Sequence, residues 1–429
     1  MTTRNMAQQG DTPEVTMKQI SRADCEALDH QDPLAGYRAQ FDIPEGMIYL
    51  DGNSLGVRPR AASARAMEVV EQEWGRGLIK SWNEAGWWDL PVRLGDKIAR
   101  LIGADSGEVV VTDSTGINVY KVLAAAMTLV PERRVILMEG SNFPTDNYMG
   151  QGLIAQLGDE YELRFAEEHE LEEAIDEDVA VVCLTDVHYK SGRLLDMATL
   201  TGKIHAVGAI AIWDLCHSAG AVEVDLNACN ADFAVGCTYK YLNGGPGSPG
   251  FIFAAKRHHG IARQPLTGWW GHAAPFSFER DYRPSPGIRQ MLSGTQPIIS
   301  LAVMEVGVDM FLQVDMSAVR SKSQALTSLF IDLVDQRCSD FDFGLVSPRD
   351  AERRGSQVSL NHEQGYPIVQ ALIARDVIGD FRAPANMRFG FTPLYTSFCD
   401  VWDAVEQLVQ IMQSKEWQRE EFNRRGAVT

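Results

Sequence analysis

No apolar run in the sequence approaches the roughly 18 residues that a membrane-crossing helix needs. The opening, MTTRNMAQQGDTPEVTMKQ, has no apolar core of signal-peptide length. The seven cysteines (Cys25, Cys183, Cys216, Cys229, Cys237, Cys338 and Cys399) form no CxxC pair and lack the dense spacing of a secreted disulfide scaffold. Several lie in apolar runs, as buried thiols of a reducing compartment do. Basic residues are scarce, 39 Lys and Arg against 58 Asp and Glu for a net charge of -19, and no concentrated basic face is evident. That balance disfavours nucleic acid and anionic membrane surfaces as partners. The nine histidines show no HExxH or similar ligand spacing, so no metal site is expected. These absences point to a soluble cytoplasmic protein.

What the sequence does contain is an alternation of strands and helices. With 429 residues, 45% of them hydrophobic and 23% charged, the chain can bury a large core and should fold as two lobes. From Glu108 onward EVVVT, RVILME, ELRFA and VAVVCLT read as strands, with helices between them near 117–127, to about Leu157 and over 167–175. Such spacing makes parallel βαβ units of an α/β fold, and ligands bind at the carboxyl ends of their strands. At those ends stand DSTG with Thr115 and Gly116, SNFPTD with Phe143 and Asp146, and TDVHYKSG with Thr185 and Lys190. Earlier, a helix is expected over 61–75. Past Ile298 a long helical pattern leads to DFGLVSP, SQVSLNH and MRFGFTP, strand-like segments interleaved with helices near 366–374 and 401–413. Residues 1–20 are polar and aperiodic and should form a disordered tail.

The chemistry concentrates in residues 209–240, AIAIWDLCHSAGAVEVDLNACNADFAVGCTYK. Asp214 closes one short apolar run and Lys240 follows a second. A carboxylate after a buried strand is costly unless a cation or strong donor meets it, and a protonated pyridinium nitrogen is such a partner. Lys240, beside Tyr239 and ahead of the compact YLNGGPGSPG loop, stands where an amine can be desolvated, lose its proton and condense with an aldehyde. The loop lacks both the GK[ST] ending of a P-loop and the GxGxxG register of a dinucleotide fold. Together the acid and the amine suggest pyridoxal phosphate (PLP). Taken singly, each has a plainer role, since an Asp at a strand end caps the next turn and most lysines are solvated. Lys190 is the rival amine, but it lacks the upstream strand-borne acid and the adjacent tyrosine.

WDLCHSAGAVEVDL followed by GCTYKYLNGGPGS resembles the kynureninase branch of the fold-type I PLP enzymes, which are related to aminotransferases and cysteine desulfurases. DGNSLG, FPTD, LTGWWGH, LSGTQPI and MRFGFTPLYTSF fall in the same order, so the resemblance spans the chain from about Tyr49 to the last helix. It implies a transferase-like α/β architecture: a large PLP-binding domain over 76–297 with a mainly parallel seven-stranded sheet flanked by helices, a segment over 21–75 packing with the small domain, and a small α/β domain over 298–429. The implied activity is hydrolysis of L-kynurenine, and less well of its 3-hydroxy form, in tryptophan catabolism, the kynurenine pathway and NAD biosynthesis. Lys240, Tyr239 and Asp214 would be catalytic. Thr115, the backbone of Gly116 (where relatives carry a hydroxyl), Phe143, Asp146, Thr185 and His217 would hold the cofactor, with Trp269 and Thr295 reaching its phosphate from the neighbouring subunit of a homodimer. Ser54, Trp82, Gly294 and Arg388 would meet the substrate, Arg388 as a bidentate clamp on its α-carboxylate.

Overall fold

The computed structural model describes residues 19–424, so the tail expected over 1–20 lies, but for its last two residues, outside the described residues. The central sheet is built from β1 (Val109–Val111), β2 (Val135–Glu139), β3 (Glu162–Ala166), β4 (Val179–Thr185), β5 (Ile210–Asp214), β6 (Phe233–Gly236) and β7 (Phe251–Ala254). Their spatial order is β1-β7-β6-β5-β4-β2-β3, and only β7 runs against the others. Covered on both faces, β4 is buried throughout, which is why VAVVCL shows no polar alternation. The edge strand β3 exposes Glu162 and Phe165.

Helices α1 (Thr115–Met127), α2 (Pro144–Leu157) and α3 (Met197–Ala206) cross between strands. The helix expected over 167–175 is shorter, one 3-10 turn at Glu168–Glu170 and one α-turn at Leu171–Ala174. Leu171 and Ile175 are the buried apolar residues of this stretch, and Ile175 already has extended backbone (ψ 93°), so the helix stops before it. The helix expected over 61–75 begins as Ala61–Glu68 and continues in wider turns over Val69–Gly77.

Next come α4 (Ile298–Phe311) and α5 (Met316–Arg337), followed by a second, antiparallel sheet of β8 (Gly344–Leu345), β9 (Gln357–Asn361), β10 (Asp380–Arg382) and β11 (Asn386–Gly390), ordered β10-β11-β9-β8. Helices α6 (Gly365–Ile373) and α7 (Phe398–Ser414) complete this part. The passage from one core to the other lies within α5 rather than at Ile298. Leu301, Met304, Val308 and Phe311 of α4 pack in the core of the large sheet, as does Val319, whereas Leu326 onward packs with the small sheet. The N-terminal segment divides likewise. Cys25 of the helix Arg22–Gln31 joins the small core, and Leu34 and Phe41 join the large one. Asp29 fastens that helix by accepting the Phe398 and Cys399 amides at 2.7 and 3.0 Å, at the start of α7.

At the entrance to β6 the buried Asp232 accepts His205 Nε2 and His258 Nε2, each at 2.7 Å, Arg257 Nη2 at 2.7 Å and the Ala211 amide at 2.8 Å. Burial works to raise this carboxyl, but the hydrogen bonds from His205 and His258, the Ala211 amide and Arg257 prevail and hold it well below the usual range. A depressed carboxylate contributes stability above its unfolded pKa of about 4, and loses it as pH falls toward the folded value. Asp232→Asn is therefore expected to cost about 3 kcal/mol at pH 7 and less at pH 3, measured by denaturant unfolding at both. An equal cost at the two values would remove the ionic part of the argument.

Candidate active site

The carboxyl ends of the parallel strands open onto one cavity of about 570 Å³, lined from both parts of the molecule. Register brings its acid wall together, because Thr185 at the end of β4 pairs with Asp214 at the end of β5. Asp214 Oδ1 accepts the Cys216 amide at 2.7 Å. Asp146, in the first turn of α2, does not cap that helix. It turns inward, where its Oδ2 accepts Asn142 Nδ2 at 3.0 Å, while Asn142 Oδ1 accepts the Thr185 hydroxyl at 2.5 Å. Burial, and then the Asp214 carboxylate, push Asp146 well above the usual carboxyl range. Two buried acids side by side are tolerated if one keeps a proton or a cation joins them. Asn142 escaped the sequence reading, although its place directly before Phe143 was a signal.

Lys240 borders the same cavity, with Nζ 3.2 Å from His217 Nε2 and 5.9 Å from the centre of the Tyr239 ring. Burial, then the charges of Lys240 and Arg388, hold His217 well below its ordinary pKa, so it is neutral and can accept from the ammonium. Phe143 is 43% exposed toward the cavity it lines and meets Tyr189 edge-on at 5.3 Å, leaving a ring face for a planar ligand. Lys190, the rival amine, is not among the lining residues, and its carbonyl is held by Ser359 Oγ at 2.6 Å.

At the other end Ser114 caps α1 by accepting the Ile117 amide, and Thr115 and Gly116 line the cavity beside it at the first turn, where helix amides without an intrahelical partner suit an anion. A side chain at Gly116 would be crowded here. A Cβ there would stand 2.8 Å from Thr145 Cγ2 and 3.1 Å from Met149 Cε. Thr145, which the sequence reading missed, lines the cavity at this point. Gly250 lets the loop after Lys240 pass close by, since its Cβ would be 3.2 Å from the Thr115 nitrogen.

Arg388 on β11 lies opposite Asp380 on β10 and Ser359 on β9. Its Nε donates to Asp380 Oδ1 at 2.7 Å, Nη1 to the Tyr189 carbonyl at 2.6 Å, and Nη2 to Ser54 Oγ at 3.1 Å as well as to Asp380 Oδ2. The open bidentate fork expected from sequence is thus already engaged by Asp380, because the two strands are in register. Arg382, six residues upstream and not singled out by sequence, lines the cavity beside it with Nη2 2.8 Å from Asp380 Oδ2. Arg388→Lys is expected to raise KM about 10–100-fold with a smaller change in kcat, because a compact ammonium cannot hold Asp380, Ser54 and Tyr189 together. Steady-state kinetics checks this, and a fall in kcat at constant KM would contradict it.

Four expected site residues do not line the cavity of this chain. Trp82 packs edge-on against Trp87 and Trp270 at 5.7 and 5.6 Å, drawn into an aromatic cluster that also holds Trp88 and Trp269. Gly294 and Thr295 are exposed on the turn after Leu292, and Trp269 is 41% exposed.

The groups that do converge fit pyridoxal phosphate. The Asp214–Asp146 pair suits a protonated ring nitrogen beside a hydroxyl-bearing edge, Lys240 suits the aldehyde, and the first turn of α1 suits the phosphate. Comparison with known proteins agrees with this geometry. A family model described as the kynureninase C-terminal domain matches residues 319–408. Kynureninase from Pseudomonas fluorescens is 57% identical over 414 residues, 95% of this chain and 100% of that one, and kynureninase from Burkholderia pseudomallei is 55% identical over the same shares. In fold, the chain is similar to the cysteine desulfurase of Thermococcus onnurineus NA1 (TM-score 0.75, 18% identity, 88% of this chain and 98% of that one). It is also similar to the Escherichia coli cysteine desulfurase CsdA (TM-score 0.72, 17% identity, 88% and 99%). With its relatives matched from end to end at more than half of all positions, the chain belongs to the kynureninase family.

Proposed function

We propose that the protein hydrolyses the Cβ–Cγ bond of L-kynurenine with bound pyridoxal phosphate, releasing anthranilate and L-alanine, and acts less well on 3-hydroxy-L-kynurenine. The observation that carries this reading is a single cavity shared by the Lys240 amine, the buried Asp214–Asp146 pair, and the arginines Arg382 and Arg388. When bound, the cofactor supplies an electron sink for the pair left on the substrate's α-carbon. Asp214 holds the proton on the ring nitrogen, and Lys240 Nζ takes the α-proton. Tyr239 is held above its ordinary pKa by burial first and then by the neighbouring thiols and Asp214, so its phenol keeps its proton until Cβ needs it. Arg388, Ser54 and Arg382 orient the α-carboxylate, and water adds to the side-chain ketone, whose carbon leaves as the carboxyl of anthranilate.

Persulfide chemistry finds no support. Cys216 is the one cysteine lining the cavity, and hydrogen bonding with Cys237, then burial, keep its thiol well above the ordinary range, where little thiolate forms.

The same reading makes the protein a cytoplasmic homodimer of tryptophan catabolism and NAD biosynthesis, with Trp269 and Thr295 serving the partner's cavity. No helix among the described residues is long and apolar enough to cross a membrane. In support of the dimer, Trp269 packs on the exposed Phe276, and exposed Trp74 and Ile299 line an apolar groove, the kind of surface an interface covers. The test is fluorescence of anthranilate released from L-kynurenine and from its 3-hydroxy form, with light scattering for the mass. A protein that shows the bound-PLP absorbance band yet releases no anthranilate would belong to another reaction of the same cofactor.

A further inference from the structure

We infer that Lys121 is a positioning residue for the phosphate end of the cofactor, clamping the turn that presents the anion-binding amides. The inference rests on the cofactor reading above. Lys121 lies on α1, and its side chain is 0% exposed. A lysine is almost never buried so completely unless paired. Its ammonium donates to Asp113 Oδ2 at 2.6 Å and to the Met291 carbonyl at 2.8 Å.

Asp113 borders the cavity directly before the capping Ser114, and its φ of 45° is in the left-handed region. A residue other than glycine holds that conformation when its surroundings over-determine it. Four contacts do so here. Lys121 and the Thr112 hydroxyl, at 2.8 Å, share Asp113 Oδ2. The Gly250 amide donates to the Asp113 carbonyl at 2.7 Å, and the Asp113 amide donates to Gln296 Oε1 at 3.4 Å. Met291 and Gln296 flank the turn that carries Gly294 and Thr295. One ammonium therefore ties the amide-bearing turn to the segment proposed to serve the neighbouring cavity.

Backbone amides bind an anion strongly when they are held in place before it arrives. Without Lys121 the Asp113 carboxylate loses its counter-charge beside the phosphate position, and the turn loses its firmest anchor. Both changes act on the phosphate and leave the contacts of Lys240 and Asp214 alone.

The test is spectral titration of the full-length chain with PLP and with pyridoxal, which lacks the phosphate. Lys121→Met is expected to raise the Kd for PLP about tenfold or more while that for pyridoxal changes less than about twofold, since only the former uses the clamped amides. Where this variant fails to fold, Lys121→Met combined with Asp113→Asn leaves no buried charge alone and carries the same expectation. Equal weakening of both ligands, or no change in either, overturns the role of Lys121. Wild-type protein that binds neither ligand overturns the cofactor reading instead.

Discussion

Lys240→Ala is expected to abolish turnover, lowering kcat by about 10⁴-fold or more, as loss of a covalent catalytic group does. The absorbance band of bound PLP should vanish with it. No neighbouring group can substitute. His217, 3.2 Å from Nζ, is buried and neutral, and Lys190 is not among the residues that line the cavity. Thermal unfolding should change little, because the Lys240 side chain is half-buried and its contacts are with His217 and the Tyr239 ring. A variant that retained the band would mean that another amine carries the cofactor. One that lost both band and fold would leave the catalytic role to be read from Lys240→Arg, whose larger head keeps the charge and cannot form the linkage.

The second large effect is expected at Asp214→Asn, a fall in kcat of about 10²–10³-fold at saturating PLP, the scale seen when one preorganised electrostatic partner is removed. The amide keeps the shape and can still accept the Cys216 amide, which Asp214 holds at 2.7 Å. What it lacks is the charge that keeps a ring nitrogen protonated. Burial raises Asp146 first and Asp214 second, so the substitution removes only the second cause, and that carboxyl should ionise somewhat more readily and compensate in part. Asp146→Asn should accordingly cost less than Asp214→Asn, and the double variant should fall below either. A loss confined to PLP affinity, with kcat restored at saturation, would assign Asp214 to binding alone.

Much of this site was legible because its parts are local. The ends of β2, β4 and β5 each show an apolar run that stops at a polar residue, and Phe143, Asp146, Thr185 and Asp214 fall there or shortly after without reference to anything distant in the chain. The loop 244–250 was legible for the same reason, as glycines at positive φ such as Gly245 and Gly247 leave a compositional mark. Asn142, Thr145 and Arg382 were missed because each is an ordinary polar residue until folding sets it against a cavity. Trp82 was placed by resemblance beside a substrate ring, yet within the chain its neighbours are Trp87 and Trp270, the second of them far along the sequence.

By itself, then, the sequence determined the alternating α/β architecture, the strand ends that bear Asp214 and Lys240, and the order of motifs tying the chain to its family. Short-range periodicity and residue chemistry are enough for these. Only the tertiary structure decided that Asp146, in the first turn of its helix, turns inward to meet Asp214, that Asp380 occupies the fork of Arg388, and that Lys121 is sealed beneath Asp113. Each depends on strand register or helix packing between residues distant along the chain. A shift of one residue in β10 against β11 would send the Asp380 side chain to the opposite face, and no local pattern in the sequence encodes that register.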